Sequence, residues 1–321
     1  MKVLITGATG LIGSEIVRHC QERNIAVNYL TTSAKKLIVK EGYHGFLWNP
    51  DKNEIDVRCL EGVNAVINLA GSSISKRWTP TYKKEVLASR VNTLKTLYSA
   101  IESNDASSIR SFVSASAIGI YPDSLTKLYT EEETEIDASF LGEVVCAWET
   151  EVDPFKKFDF SVSKVRIGLV MSDKGGALPE MAKPINAYVG AAFGSGQQWQ
   201  SWIHVSDLAR MFLFIAENEL EGIFNGVAPN PVTNSKLVKE IAKVLKRPLF
   251  LPNIPRFIMK ALLGEMSYIL FASQRVSSKK IEEEGFVFHN QNICFTLEGI
   301  YQKDGKVAAS ERFSQQKQFI S

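Results

Sequence analysis

A short apolar run, Lys2–Thr6 (KVLIT), passes without interruption into GATGLIG, and behind it Leu11, Ile12, Ile16 and Val17 recur at helical spacing. A segment rich in β-branched and aliphatic residues reads as a buried strand, and the change to helical period marks a helix start. The chain therefore opens as strand, glycine turn, helix. That order is useful because a helix start presents unpaired N–H groups and the positive end of its dipole, which together attract a phosphate. Gly7 suits the tight turn, Gly10 a close backbone approach to a pyrophosphate, and Gly13 the packing of helix on strand, the three roles of a dinucleotide-binding fingerprint.

The rest of the pattern extends that beginning. Ala26–Leu30, Asn64–Ala70, Ser111–Ala117 and SVSKVRIGLV read as further strands separated by helix-like stretches. Such alternation predicts an α/β fold, a Rossmann-type doubly wound parallel sheet. Thr79 and Pro80 make a good start for one long crossover helix carrying Val86, Leu87, Val91, Leu94 and Leu97. FLGEVVCAWETEV and VTNSKLVKEIAKVLKRP read as two more helices. From Pro248 prolines are followed by helical periodicity, which predicts a small, mainly helical C-terminal subdomain. The expected organisation is a dinucleotide-binding domain with substrate-side insertions over 1–247, the subdomain over 248–297, and a polar, aperiodic tail over 298–321.

Composition excludes several classes of function. The 37 basic and 35 acidic residues are interspersed, with a net charge of +2, so neither a nucleic acid nor a membrane surface is expected as partner. Cys20, Cys59, Cys146 and Cys294 lie far apart, without a CxxC pair or zinc-like His spacing, which argues against a metal site and for a reduced, cytoplasmic setting. The first apolar run ends at Thr6, too early for a signal peptide. FIMKALLGEMSYILFAS is broken by Lys260 and Glu265 and reads as an amphipathic or core helix, not a membrane span.

The second strand ends in LTTSAKK, with no carboxylate before Glu41. An acidic residue here would bind a ribose 2′-hydroxyl, whereas Thr31, Thr32, Ser33, Lys35 and Lys36 could bind the oxygens of a 2′-phosphate. NADP is therefore favoured over NAD, the plainer alternative being that both lysines only solvate a loop.

GATGLIG, NLAGSSI, SRVNT, SASAIGIYP, FLGEVVCAWE, KVRIGLVMSDKGGAL, GSGQQWQSWIHVSDLAR and FNGVAPNPVTN together resemble the extended short-chain dehydrogenase/reductases. The closer resemblance is to the atypical branch described as nucleoside-diphosphate-sugar epimerases with a helical C-terminal domain of unknown function; ALLGEM, SQRVSSKKI and EEGFVF match that ending. The resemblance implies that Leu11 and Ile12 meet the pyrophosphate, that Thr31 and Thr32 hold the adenosine phosphate, and that Leu69, Ala70 and Gly71 pass under the cofactor. It places Glu85 and Arg90 near the cofactor too. Relatives often carry Arg at the position of Thr32. By analogy the long crossover helix could pair two copies into a homodimer.

The same resemblance exposes a gap. Ordinary members use a Ser, a Tyr and a Lys four residues later, but here no tyrosine is followed four places on by lysine, and Phe140 stands near the Tyr position. Ser116 matches the serine. A positioned acid or base contributes about 10²–10⁴ in rate, so its absence matters. Tyr121, beyond the Ser116 strand end, and His204 in WIHVSD are the candidate replacements; packing and loop anchoring are the alternatives. Trp78 and Trp199 could grip a polar substrate or belong to the core. The expected function is an NADP-binding oxidoreductase or epimerase-like protein acting on a small molecule, a nucleotide sugar or another carbonyl compound. A non-catalytic NADP-binding sensor or scaffold is the alternative.

Overall fold

The computed structural model describes residues 1–301. β1 (Lys2–Thr6), β2 (Ala26–Thr31), β3 (Tyr43–Asn49), β4 (Ala65–Asn68), β5 (Ser111–Ala117), β6 (Ser161–Ile167) and β9 (Gly222–Gly226) form the body of a nine-stranded sheet in the order β9-β6-β5-β4-β1-β2-β3. These strands run parallel, with Leu4 opposite Asn28 on one side and Val66 on the other. The order reverses between β1 and β4, the switch point at which open α/β sheets bind ligands. Two helical layers cover the sheet. α1 (Leu11–Glu22) packs with α5 (Val205–Glu217), and α2 (Pro80–Glu102) with α3 (Phe140–Val152).

The helix starts follow from local chemistry. The side chains of Thr79, Ser139 and Thr233 accept hydrogen bonds from Tyr82, Leu141 and Lys236 N–H at the starts of α2, α3 and α6 (Asn234–Val244). Each such cap is worth about 1 kcal/mol. Val3, Leu4, Ile5, Val66, Ile67, Phe112 and Val113 fill the sheet core with no exposure to solvent.

Three expectations are corrected. The first concerns the connection between β2 and β4, which contains no α-helix but a further parallel strand, β3. Its alternation is interrupted at Gly45, where an added Cβ would fall 2.5 Å from the Tyr29 hydroxyl. That hydroxyl donates to the Lys36 carbonyl at 2.6 Å, and the Tyr29 ring stacks on Tyr43. The second correction is that SVSKVRIGLV is two strands, not one. At Gly168 the chain leaves the main sheet, and β7 (Leu169–Met171) pairs with β8 (Trp202–His204). A Cβ at Gly168 would meet the Ser201 carbonyl oxygen at 2.4 Å, so only glycine fits this divergence.

The third correction concerns the C-terminal third. α7 (Arg256–Leu263) ends at Gly264, and the apolar segment behind it continues as a 3₁₀ turn and the short α8 (Tyr268–Phe271). A two-residue strand, Arg275–Val276, pairs with Leu128–Tyr129 within this mainly helical region. After α9 (Lys279–Glu283), α10 spans Ile293–Tyr301, past the expected start of the tail at 298. Ile293, Leu297 and Ile300 share a second core with Trp202, Leu237, Ile241 and Leu178 of α4 (Ala177–Asn186). The expected boundary at 247 thus cuts through a shared core; residues 302–321 of the expected tail lie outside the described ones. Among the described residues no helix is long and apolar enough to cross a membrane, and no His, Cys, Asp or Glu cluster could hold a metal ion.

Candidate dinucleotide site and the missing acid–base pair

The glycine turn lies at the carboxyl end of β1, beside the switch point. Gly7 adopts φ +71°, and a Cβ there would press on the Leu69 carbonyl at 3.2 Å. Gly10 donates its N–H to the Gly7 carbonyl at 2.9 Å and precedes α1, yet no side chain caps this helix and no acid stands in its first turn. The positive end of α1, over Leu11, Ile12 and Gly13, is therefore not neutralised by a cap or an acid of its own. A Cβ at Gly13 would fall 2.2 Å from the Gly7 oxygen, which is why the helix closes on the turn only with glycine there.

Thr6 joins this turn to the end of β4. Its hydroxyl accepts from the Leu69 and Ala70 N–H groups at 3.0 Å and donates to the Asn68 side chain at 2.7 Å. The next residues are held from α2. Glu85 accepts from the Ser72 hydroxyl at 3.1 Å, Ser89 from the Ser72 N–H at 2.9 Å, and Arg90 donates to the Ser72 carbonyl at 3.2 Å. The turn at Gly7–Gly13, the strand end at Leu69–Gly71 and the α2 residues Glu85 and Arg90 are thus brought side by side at the carboxyl ends of β1 and β4. Burial drives the Arg90 pKa down to about 10. At the end of β2, Thr31 is buried and accepts from the Ser33 N–H at 3.2 Å, while Thr32, Lys35 and Lys36 are exposed.

The expected proton donors are placed differently. Ser116 is buried, and its hydroxyl donates to Glu149 Oε1 at 2.6 Å. Arg166 donates to both oxygens of Glu149, from Nε at 2.8 Å and Nη2 at 2.9 Å. Arg166 also donates to the Tyr121 oxygen at 3.0 Å, and Tyr121 in turn donates to Asn225 Oδ1 at 2.7 Å. Tyr121 has no exposed surface, and burial pushes its pKa up to about 12. Its hydroxyl is saturated within a buried network tying β5, α3, β6 and β9, so the donor role expected of it does not fit this environment. His204 caps α5, its Nδ1 accepting from the Ser206 N–H at 3.2 Å, and burial lowers its pKa. The cap geometry matches the loop-anchoring alternative. In the same motif Asp207 is fully buried and accepts from the His289 and Asn290 N–H groups at 3.0 and 2.7 Å, pinning the C-terminal region to α5.

At the start of α3, where a Tyr-xxx-Lys pair would stand, Phe140 packs edge-on against Trp78, and Val144 packs with Val86. Trp78 belongs to this cluster, whereas Trp199 is half-buried under the Arg275 guanidinium, 4.8 Å from its ring centroid. Sequence reasoning missed one hydroxyl beside the pair's position. Tyr268 of α8 donates to Asp137 Oδ2 at 2.6 Å, three residues before Phe140, and its neighbours Met266 and Ile269 pack into the Phe140 cluster. Burial and then the Asp137 carboxylate raise the Tyr268 pKa. Only contact across well over a hundred residues of sequence could have revealed this hydroxyl.

Comparison with known proteins agrees with this architecture. Residues 3–225 match the NAD dependent epimerase/dehydratase family, and residues 254–300 match a domain of unknown function, DUF1731. An epimerase family protein of Staphylococcus epidermidis is 35% identical over 304 residues, covering 93% of this chain and 98% of its own length. The crystal structure of the human epimerase family protein SDR39U1 (isoform 2) with NADPH superposes with a TM-score of 0.82 at 28% identity, covering 94% of this chain and 99% of that one. A nucleoside-diphosphate sugar epimerase of Corynebacterium glutamicum gives a TM-score of 0.75 at 25% identity, over 98% of this chain and 61% of that one. The chain belongs to the NAD dependent epimerase/dehydratase family and carries a C-terminal DUF1731 domain.

Proposed function

We propose that this protein is an NADP-dependent oxidoreductase or epimerase of the extended short-chain type, acting on a carbonyl or hydroxyl group of a small molecule such as a nucleotide sugar. The observation that carries the reading is the uncapped, acid-free start of α1 at Gly10, set against the Thr6-stitched floor at Leu69 and Ala70. The N–H groups at Leu11–Gly13 would hold the pyrophosphate. Thr31, Thr32, Lys35 and Lys36, with no acid at the end of β2, would hold a 2′-phosphate. NADPH bound to the human relative supports this choice, and the Corynebacterium relative's description supports the substrate class.

Bound NADP(H) would supply or accept the hydride. The chain's own part is the proton, and Tyr268 is the hydroxyl that the geometry favours. Unlike Tyr121 it is half-buried rather than sealed, and the hydrogen bond it donates, to Asp137, must be given up for it to serve. As a carbonyl is reduced, the Tyr268 hydroxyl turns from Asp137 Oδ2 to the substrate oxygen, its O–H bond breaks as the alcohol O–H bond forms, and solvent reprotonates the phenolate. Nucleotide-fluorescence titration with NADPH tests the cofactor assignment: saturable binding at micromolar concentrations is expected, and none up to low millimolar would refute it. A second reading, a non-catalytic NADP-binding sensor, is favoured by the engagement of both Ser116 and Tyr121 in the buried network. Carbonyl turnover that disappears in Tyr268→Phe would exclude it.

A further inference from the structure

Three basic side chains are buried among the described residues: Arg90, Lys164 and Arg166. Lys164 pairs with Asp153 and Arg166 with Glu149, but Arg90, only 8% exposed, has no carboxylate partner. Its Nη1 donates to the Val86 carbonyl at 2.9 Å and the Ser72 carbonyl at 3.2 Å, and its Nε has no hydrogen-bond partner among the described residues. Trp148 lies under the guanidinium, with the ring centroid 4.8 Å from Cζ. Gly71 lies over it, since a Cβ there would fall 3.2 Å from Cζ. Burying a charge without a counter-ion is costly, so a fold that does so at a ligand crevice invites a functional reason.

The location supplies one. Sheet order reverses between β1 and β4, so a dinucleotide straddling this point has its adenosine half over β2 and its other half over β4 and β5. Gly71 follows β4, which puts Arg90 on the nicotinamide side. The ordinary lysine of this superfamily would stand four residues after Phe140, where Val144 is instead packed with Val86. One turn further along α3 stands Trp148, and Arg90 of α2 rests on it. The positive charge here stands on α2, not α3, beneath Gly71.

We propose that Arg90 sets the redox preference of the site, its fixed charge favouring the neutral reduced nicotinamide over the cationic oxidised one, so that the protein holds NADPH in preference to NADP+. This rests on the NADP reading above and deepens it. Epimerisation by transient oxidation must begin from the oxidised cofactor, whereas carbonyl reduction begins from the reduced one, so the preference points to a reductase. Arg90 acts as a positioning charge through the Gly71 backbone, not as a group that touches the reacting atoms. With its pKa near 10 it stays charged at neutral pH.

The two cofactor forms carry the same phosphates, so the ratio of their dissociation constants isolates the charge on the ring. Unit charges within ~10 Å at an effective dielectric of ~20 change such a ratio roughly tenfold. Calorimetric titration of the full chain with NADPH and with NADP+ separately should give a Kd ratio (NADP+ over NADPH) of about that size. Arg90→Lys should keep most of it and Arg90→Met should bring it near one. A wild-type ratio near or below one overturns the proposal whether or not the methionine variant folds, and so does an unchanged ratio in a folded Arg90→Met. Failure of both forms to bind would instead refute the NADP reading itself, a result separable from equal binding of both.

Discussion

Replacing Glu149 with leucine would test whether the Ser116–Glu149–Arg166–Tyr121 network is structural. Glu149 accepts three hydrogen bonds, two from Arg166 at 2.8 and 2.9 Å and one from Ser116 at 2.6 Å. Burial works against the Arg166 charge, but Glu149 more than offsets it and raises the Arg166 pKa. With the carboxylate gone, a guanidinium in a residue only 4% exposed loses its hydrogen-bonded counter-ion and keeps only the weaker attraction of Glu131. Breaking a buried pair from one side costs about 3–5 kcal/mol, a large part of the ~5–15 kcal/mol that holds a domain together. The melting temperature should fall by on the order of 8 °C, at ~2 °C per kcal/mol for a chain of this size. Arg166→Met alone should be similarly costly, because it leaves the carboxylate buried with Ser116 as its remaining donor. The double variant should be more stable than either single one, since a buried ion pair exchanged whole for apolar side chains is often neutral. What remains is the loss at Ser116 and Tyr121, about 1 kcal/mol for each hydrogen bond. Urea unfolding of all four proteins would measure the cycle. Additive single effects, or a Glu149→Leu cost below about 1 kcal/mol, would show that the pair is not the buried, mutually dependent unit described here.

Four further outcomes follow from the site. Gly13→Ala places a Cβ 2.2 Å from the Gly7 oxygen, so it should cost about 1–3 kcal/mol by overpacking and weaken NADPH binding; an unchanged titration would contradict the turn's assigned role. Thr32→Asp puts a carboxylate where a 2′-phosphate is expected, and should lower the preference for NADPH over NADH by at least roughly tenfold, about 1.4 kcal/mol; an unaltered ratio would move the phosphate elsewhere. Burial holds the His204 pKa below the ordinary imidazole value of 6.5, so below that pH the unfolded chain binds more protons, and stability, full above pH 6.5, is lost as pH falls through the folded pKa. His204→Asn keeps a cap acceptor and should flatten that slope in urea melts across a pH series. Tyr268→Phe should reduce carbonyl turnover by about 10²–10⁴ while leaving the NADPH dissociation constant in place; turnover equal to wild type would remove it as the donor.

The opening unit was legible because its signals are local. Gly7, Gly10 and Gly13 act on one another and on the neighbouring strand end, and the caps at Thr79 and Thr233 satisfy N–H groups three residues away. β3 was not legible, because Gly45 breaks its alternation for the sake of a ring, Tyr29, contributed by another strand. Gly168 reads as an ordinary strand glycine until the Ser201 carbonyl is placed against it. The tail was misjudged at its start because the apolar face of α10 pairs with α6, more than fifty residues earlier.

The proton-donor question separates the two levels of information most sharply. That the chain lacks a Tyr-xxx-Lys pair is a fact of its sequence, fixed by spacing on one helix. What became of the neighbouring groups is not. Ser116 and Tyr121 look available in SASAIGIYP, and only packing against Glu149, Arg166 and Asn225 shows them consumed. Tyr268 and Asp137, separated by 131 positions, become neighbours only when the C-terminal region folds back over α3. Sequence alone determined the strand–glycine–helix opening, the absence of a carboxylate after β2 and the loss of the usual acid–base pair, because each depends on residues within a few turns of one another. Tertiary structure decided which polar groups are sealed and which face the crevice, because hydrogen-bond satisfaction and burial are set by partners from distant strands and helices.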